Sequence, residues 1–217
     1  MRKALLFAPM IALCLLLVGC GGKSEEAESR DVQERYRAMT AASAEAELIC
    51  HYGGEVRTYG LSCAYTPESA TVTVTEPAEL AGVSAVFDAE TLTLAYDDVL
   101  LDAGIYSGTR LSPFWAVPSM LQTIGEGYLL EYCEEDVGED KCLRACFEVT
   151  EEDGEKTLYT VWFDGEENPV RGEIAVEGEV VYAVTFRSFT AETDGTEQST
   201  KEEPKDGTDA EADLGGD

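Results

Sequence analysis

The spacing of apolar residues changes character along this chain. Residues 4–19 form an almost unbroken apolar run behind Arg2 and Lys3. At sixteen residues the run falls short of the roughly 18–20 that a membrane-spanning helix needs. A basic start and a short apolar centre instead fit a secretory signal peptide over residues 1–19. Residues 31–42 follow the helical period, with Val32, Tyr36 and Met39 at i, i+4 and i+7, and predict a short amphipathic helix. From Ala44 the period becomes two. Ala44, Ala46, Leu48, Cys50 and Tyr52 share one face, and Glu45, Glu47, Ile49 and His51 the other. Gly53 and Gly54 then signal a hairpin turn, after which Arg57, Tyr59, Leu61, Cys63 and Tyr65 share a face. Centring the hairpin on the glycine pair puts both apolar rows on the same side of a sheet.

Alternation continues through residues 71–75, 83–87, 91–96 and 99–101. It breaks at residues 112–124, where Ser112 and Pro113 open a helical turn and Val117, Leu121 and Ile124 return at helical spacing. Strands resume at residues 128–133, 142–150, 158–163, 172–176 and 180–189. The pattern predicts a mainly β fold, one long antiparallel sheet with two helical interruptions; a sandwich also satisfies the periodicity.

Charge narrows the functions open to such a sheet. The chain carries a formal net charge of −29, which repels phosphate backbones and anionic headgroups and excludes nucleic acid as a partner. Residues 31–190 hold 31 acidic and nine basic side chains, so the folded part is itself acidic. Residues 20–30 are polar and Gly/Ser-containing, and residues 191–217 combine ten acids and two lysines with no aromatic residue. They read as a linker and a disordered tail around a domain at residues 31–190.

The apolar run ends Leu17-Val18-Gly19-Cys20-Gly21-Gly22, which resembles the lipobox of bacterial lipoproteins. The resemblance implies that the Cys20 thiol receives a diacylglyceryl group and that cleavage before Cys20 exposes an amine for a further acyl chain such as palmitate. Two or three acyl chains anchor stably where one binds reversibly. The expected location is the extracytoplasmic face of a cell membrane, with the N-terminal diacylglyceryl anchor as the membrane contact.

The order of parts in residues 31–190 resembles the LolA/LolB-like family of lipoprotein carriers. The features that carry this are the opening helix, the hairpin from Tyr52-Gly53-Gly54 to Thr58-Tyr59, the segment from Glu76-Pro77 to Gly82, the Pro113 to Ile124 insert, and Val161-Trp162-Phe163-Asp164 followed by Asn168-Pro169-Val170-Arg171-Gly172. The resemblance implies an incomplete antiparallel β-barrel wrapped around helices, a LolA-like half-barrel that holds a lipid-like or acyl ligand, with no catalytic residues and no cofactor. The inward rows that would line the cavity are Leu48, Tyr59, Leu61, Val72, Val74, Leu92, Leu94, Tyr96, Tyr128, Leu130 and Phe147. Phe114, Trp115, Met120 and Leu121 would form a lid over it, or a plug filling a dry core. The alternative function is a non-enzymatic anchored adaptor whose acidic surface docks a basic extracytoplasmic protein, such as a cell-envelope enzyme.

Beyond Cys14 and Cys20 the chain has Cys50, Cys63, Cys133, Cys142 and Cys146. A hairpin centred between Val137 and Gly138 would set Cys133 opposite Cys142 and Glu131 opposite Arg144, predicting a Cys133–Cys142 disulfide with Cys146 as competitor. Cys50 and Cys63 are offset in the glycine hairpin and read as buried free thiols. Metal binding is not expected: the cysteines lack a paired knuckle spacing, and the acidic run at residues 134–140 lacks calcium-loop spacing. No nucleophile motif is present, and the lone His51 falls on the polar strand face.

Overall fold

The computed structural model describes residues 25–52, 54–88, 91–97, 99–105, 112–150 and 154–193. Residues 1–24, which include the expected signal peptide and Cys20, and the chain beyond Thr193 lie outside the described residues. Helix α1 (Glu25–Arg37) is followed by β1 (Met39–Tyr52), β2 (Glu55–Tyr65), β3 (Ser69–Glu76), β4 (Ser84–Asp88), β5 (Thr91–Tyr96) and β6 (Val99–Ile105). A 3-10 turn (Pro113–Trp115) leads into α2 (Ala116–Glu126), then β7 (Tyr128–Val137), β8 (Asp140–Thr150), β9 (Lys156–Phe163), β10 (Pro169–Val176) and β11 (Glu179–Thr193).

All eleven strands form one antiparallel sheet in the order β6-β5-β4-β3-β2-β1-β11-β10-β9-β8-β7. Chain neighbours are therefore sheet neighbours, except that β1 and β11 join the two halves and β6 and β7 stand at opposite edges. Between β6 and β7 the chain must cross the whole sheet. Helix α2 lies on that route, and its Ala116, Val117, Met120, Leu121 and Ile124 are at most 1% exposed. A helix suits this crossing because its backbone polar groups are satisfied internally while apolar side chains meet the sheet. The approach is close at β10, where a Cβ on Gly172 would stand 2.2 Å from Met120 Sδ.

Helix α1 packs beside α2 on the same inner face. Tyr36 meets Phe163 edge-on at 5.7 Å and stacks on Phe189 at 6.0 Å. Its hydroxyl donates to the Glu167 carbonyl at 3.2 Å, Arg35 donates to Asn168 Oδ1 at 3.1 Å, and Gln33 donates to the Gly127 carbonyl at 2.9 Å. The result is the expected mainly β fold, an incomplete barrel wrapped around two helices, and it is open, with β6 and β7 unpaired to each other. The first helix lies earlier than the spacing of Val32, Tyr36 and Met39 suggests. All three are buried, but Met39 is so as the first residue of β1, opposite Thr193.

The two signalled hairpins come out differently. In β1–β2, Gly54 adopts φ +83° and the pairs are Tyr52–Glu55, Leu48–Tyr59 and Ala46–Leu61, as the glycine pair predicts. Cys50 faces Arg57 and Cys63 faces Ala44, and both are buried free thiols. In β7–β8 the register differs from the expected one by two residues. Val137 pairs with Asp140 across a two-residue turn in which Gly138 takes φ +68°, so Cys133 faces Arg144 and Cys142 faces Glu135. Cys133, Cys142 and Cys146 are all free. A slip of two keeps every residue on its face, so alternation cannot detect it; a two-residue turn with a leading glycine matches strand twist and decides it. An irregularity at Leu130 then shifts the pairing again, setting Leu129 opposite Phe147. Leu129 and Tyr132 pack on the core, while Tyr128 is 72% and Leu130 45% exposed, contrary to the inward placement expected of them.

Candidate functional site

The residues expected to line a ligand cavity separate into a closed core and an open end. Leu48, Leu61, Val72, Val74, Met120, Leu121 and Phe147 are 0–5% exposed and belong to one packed cluster. Over this part of the sheet α1 and α2 pack against the inner rows, and Met120 and Leu121 are buried in that contact. Tyr59, Leu92, Leu94, Phe114 and Trp115 are half-buried against the same cluster, and Tyr96 is exposed.

Leu92, Leu94, Tyr96 and Trp115 mark the end where the helices stop short of the sheet. Leu92 pairs with Phe87 and Leu94 with Ala85, both buried on the inner face, and Leu101 pairs with Leu94 and Val99 with Tyr96. Strict alternation then puts Leu92, Leu94, Tyr96, Val99 and Leu101 on that inner face. Trp115 closes the near side of this strip, its ring 4.6 Å from that of Phe87. Exposure rises away from the tryptophan, from half-buried Leu92 and Leu94 to Tyr96 at 53%, Leu101 at 59% and Val99 at 67%. An inner sheet face bearing this many uncovered apolar side chains can take up an apolar ligand, because covering it removes hydrocarbon from water.

A pocket of about 370 Å³ adjoins the strip at Phe87 and Trp115 and is completed by Tyr65, the turn at residues 66–69, Ala70, Asp88 and Gln122. Burial, with a smaller effect of Glu126, pushes the Tyr65 hydroxyl up to about 12, so it is a neutral donor at physiological pH. A second pocket of about 300 Å³, between the end of α2 and β8, is lined by Gln122, Thr123, Glu126, Gly127, Tyr128, Glu148, Val149 and Thr150. It has little apolar surface to offer. Sequence reasoning missed Val99 and Leu101 as strip residues, and the buried Phe87 that pairs with Leu92. Three consecutive apolar residues in β6 carry no alternation to show which of them faces inward.

The outer face is differently built. Trp162, 5% exposed, lies between the guanidinium groups of Arg171 at 4.9 Å and Arg144 at 5.8 Å, and Arg144 pairs with Glu131 at 2.8 Å. His51 is exposed near the β1–β2 turn, opposite Val56. Among the described residues no group of three or more His, Cys, Asp or Glu side chains is placed to hold a metal ion, and no helix is long and apolar enough to cross a membrane.

No protein-family model matches the chain, and no curated protein matches it in sequence. Solved structures do resemble it. An uncharacterized conserved protein from Thermus thermophilus shares 14% identity at TM-score 0.46, covering 84% of this chain and 96% of that one. A LolA superfamily protein from Nitrosomonas europaea shares 9% identity at TM-score 0.42, covering 74% and 92%. The lipoprotein LppX of Mycobacterium tuberculosis shares 13% identity at TM-score 0.40, covering 77% and 91%. The chain is thus similar, at low identity, to solved proteins that include a LolA superfamily member and a mycobacterial lipoprotein.

Proposed function

We propose that this protein is a membrane-anchored extracytoplasmic lipoprotein that binds a lipid-like or acyl ligand, without catalysis, on the uncovered inner face of its half-barrel. One observation carries the reading: the strip Leu92, Leu94, Tyr96, Val99 and Leu101 lies on the core side of the sheet, yet no helix covers it among the described residues. In a domain whose inner positions such as Leu48, Val72 and Phe147 are packed to near-zero exposure, this is apolar surface left for something else. The site sits beside the packed helices and not beneath them, so a ligand can enter without unpacking α2. Anchoring follows from the lipobox at Cys20, which tethers an acidic domain that anionic headgroups would otherwise repel.

The test is native mass spectrometry of the chain from residue 21 onward, purified from a membrane-containing host and then extracted with organic solvent. The reading requires lipid at near-stoichiometric occupancy, lost in Leu94→Glu while the unfolding transition stays cooperative. A clean apo mass with no uptake on incubation with phospholipid or fatty acid contradicts it.

A further inference from the structure

The two edges of the sheet are built in opposite ways. Strand β7 is defended: Glu131, Glu134, Glu135 and Asp136 are exposed along it, and the irregularity at Leu130 breaks its register. Charges and bulges of this kind stop an edge from pairing with a foreign strand. Strand β6 opens instead with Val99, Leu100 and Leu101, exposed by 67%, 74% and 59%. Pairing of Leu100 with Ala95 and Leu101 with Leu94 puts these consecutive residues on opposite faces, so β6 is uncovered on both. Among the described residues its one hydrogen-bonded neighbour in the sheet is β5.

The charge of the segment that carries this edge specifies what would pair with it. Residues 58–109, which contain β3 to β6, hold eight Asp and Glu and no Lys or Arg. Every fixed charge this segment contributes is negative, and a second copy would bring the same acidic lobe against it. We propose that the outer edge of β6 is a docking site for an extended segment of a partner protein with alternating basic and apolar residues, added as a further antiparallel strand. Main-chain hydrogen bonds to β6 would supply affinity. Basic side chains facing the acidic lobe, and apolar ones against Leu100 on the outer face, would supply selectivity. This rests on the edge itself and is independent of ligand uptake on the inner strip.

The experiment uses the chain from residue 21 onward and a fluorescent peptide of alternating lysine and valine, read by anisotropy, with amide hydrogen exchange on the complex. The proposal predicts saturable binding with new protection confined to residues 99–103, and about tenfold weaker binding to Leu100→Lys, which repels the peptide. Leu100 is mostly solvated on the outer face, so this variant should fold as the parent does, and its unchanged exchange elsewhere verifies that. A peptide of the same sequence N-methylated at every amide must fail to bind, because it keeps the charge but has no N–H left to donate to β6. Equal binding by the methylated peptide or by Leu100→Lys, protection elsewhere, no binding, or a concentration-dependent dimer abolished by Leu100→Lys each overturns it.

Discussion

Two buried tyrosines should respond with opposite sign to loss of the same atom. Tyr159 is 0% exposed in the middle of β9, between Phe147 and Ile174 on the neighbouring strands, and its hydroxyl has no hydrogen-bond partner among the described residues. A buried hydroxyl left unpaired costs about 1–3 kcal/mol. Tyr159→Phe removes that cost and leaves a void of roughly 10–15 Å³, which at about 24 cal/mol per Å³ subtracts only ~0.3 kcal/mol. The net expectation is stabilisation by about 1–2 kcal/mol. For a chain of this size that raises Tm by roughly 2–8 °C. Tyr36→Phe instead deletes the 3.2 Å bond to the Glu167 carbonyl and should destabilise by about 0.5–1.5 kcal/mol. Urea unfolding at constant slope, read by fluorescence and circular dichroism, measures both. If Tyr159→Phe lowers stability by ~1 kcal/mol or more, the hydroxyl has a partner, such as a buried water, and the packing account of β9 is wrong.

Thiol chemistry and pH provide two further tests. Burial pushes the Cys63 thiol up to about 12 and Cys50 up to about 11, whereas Cys133 is half-buried at the edge strand. Ellman's reagent at mildly alkaline pH should therefore modify Cys133 first and leave Cys50 and Cys63 untouched until the chain unfolds; early labelling of Cys63 would contradict the packing of β2. The same shift has a linkage consequence. Unfolded Cys63 loses its proton near pH 9 while the folded thiol keeps it to about 12, so its contribution to stability is complete below pH 9 and lost between 9 and 12. The urea midpoint should fall across that window less steeply in Cys63→Ala, and identical slopes in the two proteins would refute the assignment.

Much of this architecture was legible because β-strands with one buried face write their burial into the sequence. The alternation from Ala44 to Tyr65 and the glycine pair predict the observed β1–β2 register, and Pro113 with Val117, Leu121 and Ile124 predicts the helical crossing. What stayed hidden is what alternation cannot encode. The two-residue slip in β7–β8 leaves each face unchanged, so Cys133 opposite Cys142 and Cys133 opposite Arg144 read alike until the Gly138 turn chooses. The irregularity at Leu130 exchanges Tyr128 and Leu130 for Leu129 at the core, while Tyr132 keeps its inward place. The candidate site was half visible: Leu92, Leu94 and Tyr96 alternate cleanly, but no local signal says how far α2 reaches, and that reach separates buried Leu48 and Phe147 from the open strip.

The chain has two tryptophans, Trp115 beside the strip and Trp162 on the outer face, and this permits the most direct test of ligand binding. A fatty acid carrying bromine on its chain is titrated into Trp162→Phe, which retains Trp115, and into Trp115→Phe, which retains Trp162. The account predicts saturable quenching of Trp115 and none of Trp162, with the Trp115 response lost in Leu94→Glu. Quenching of Trp162, or no quenching of Trp115 at saturating probe, would contradict it.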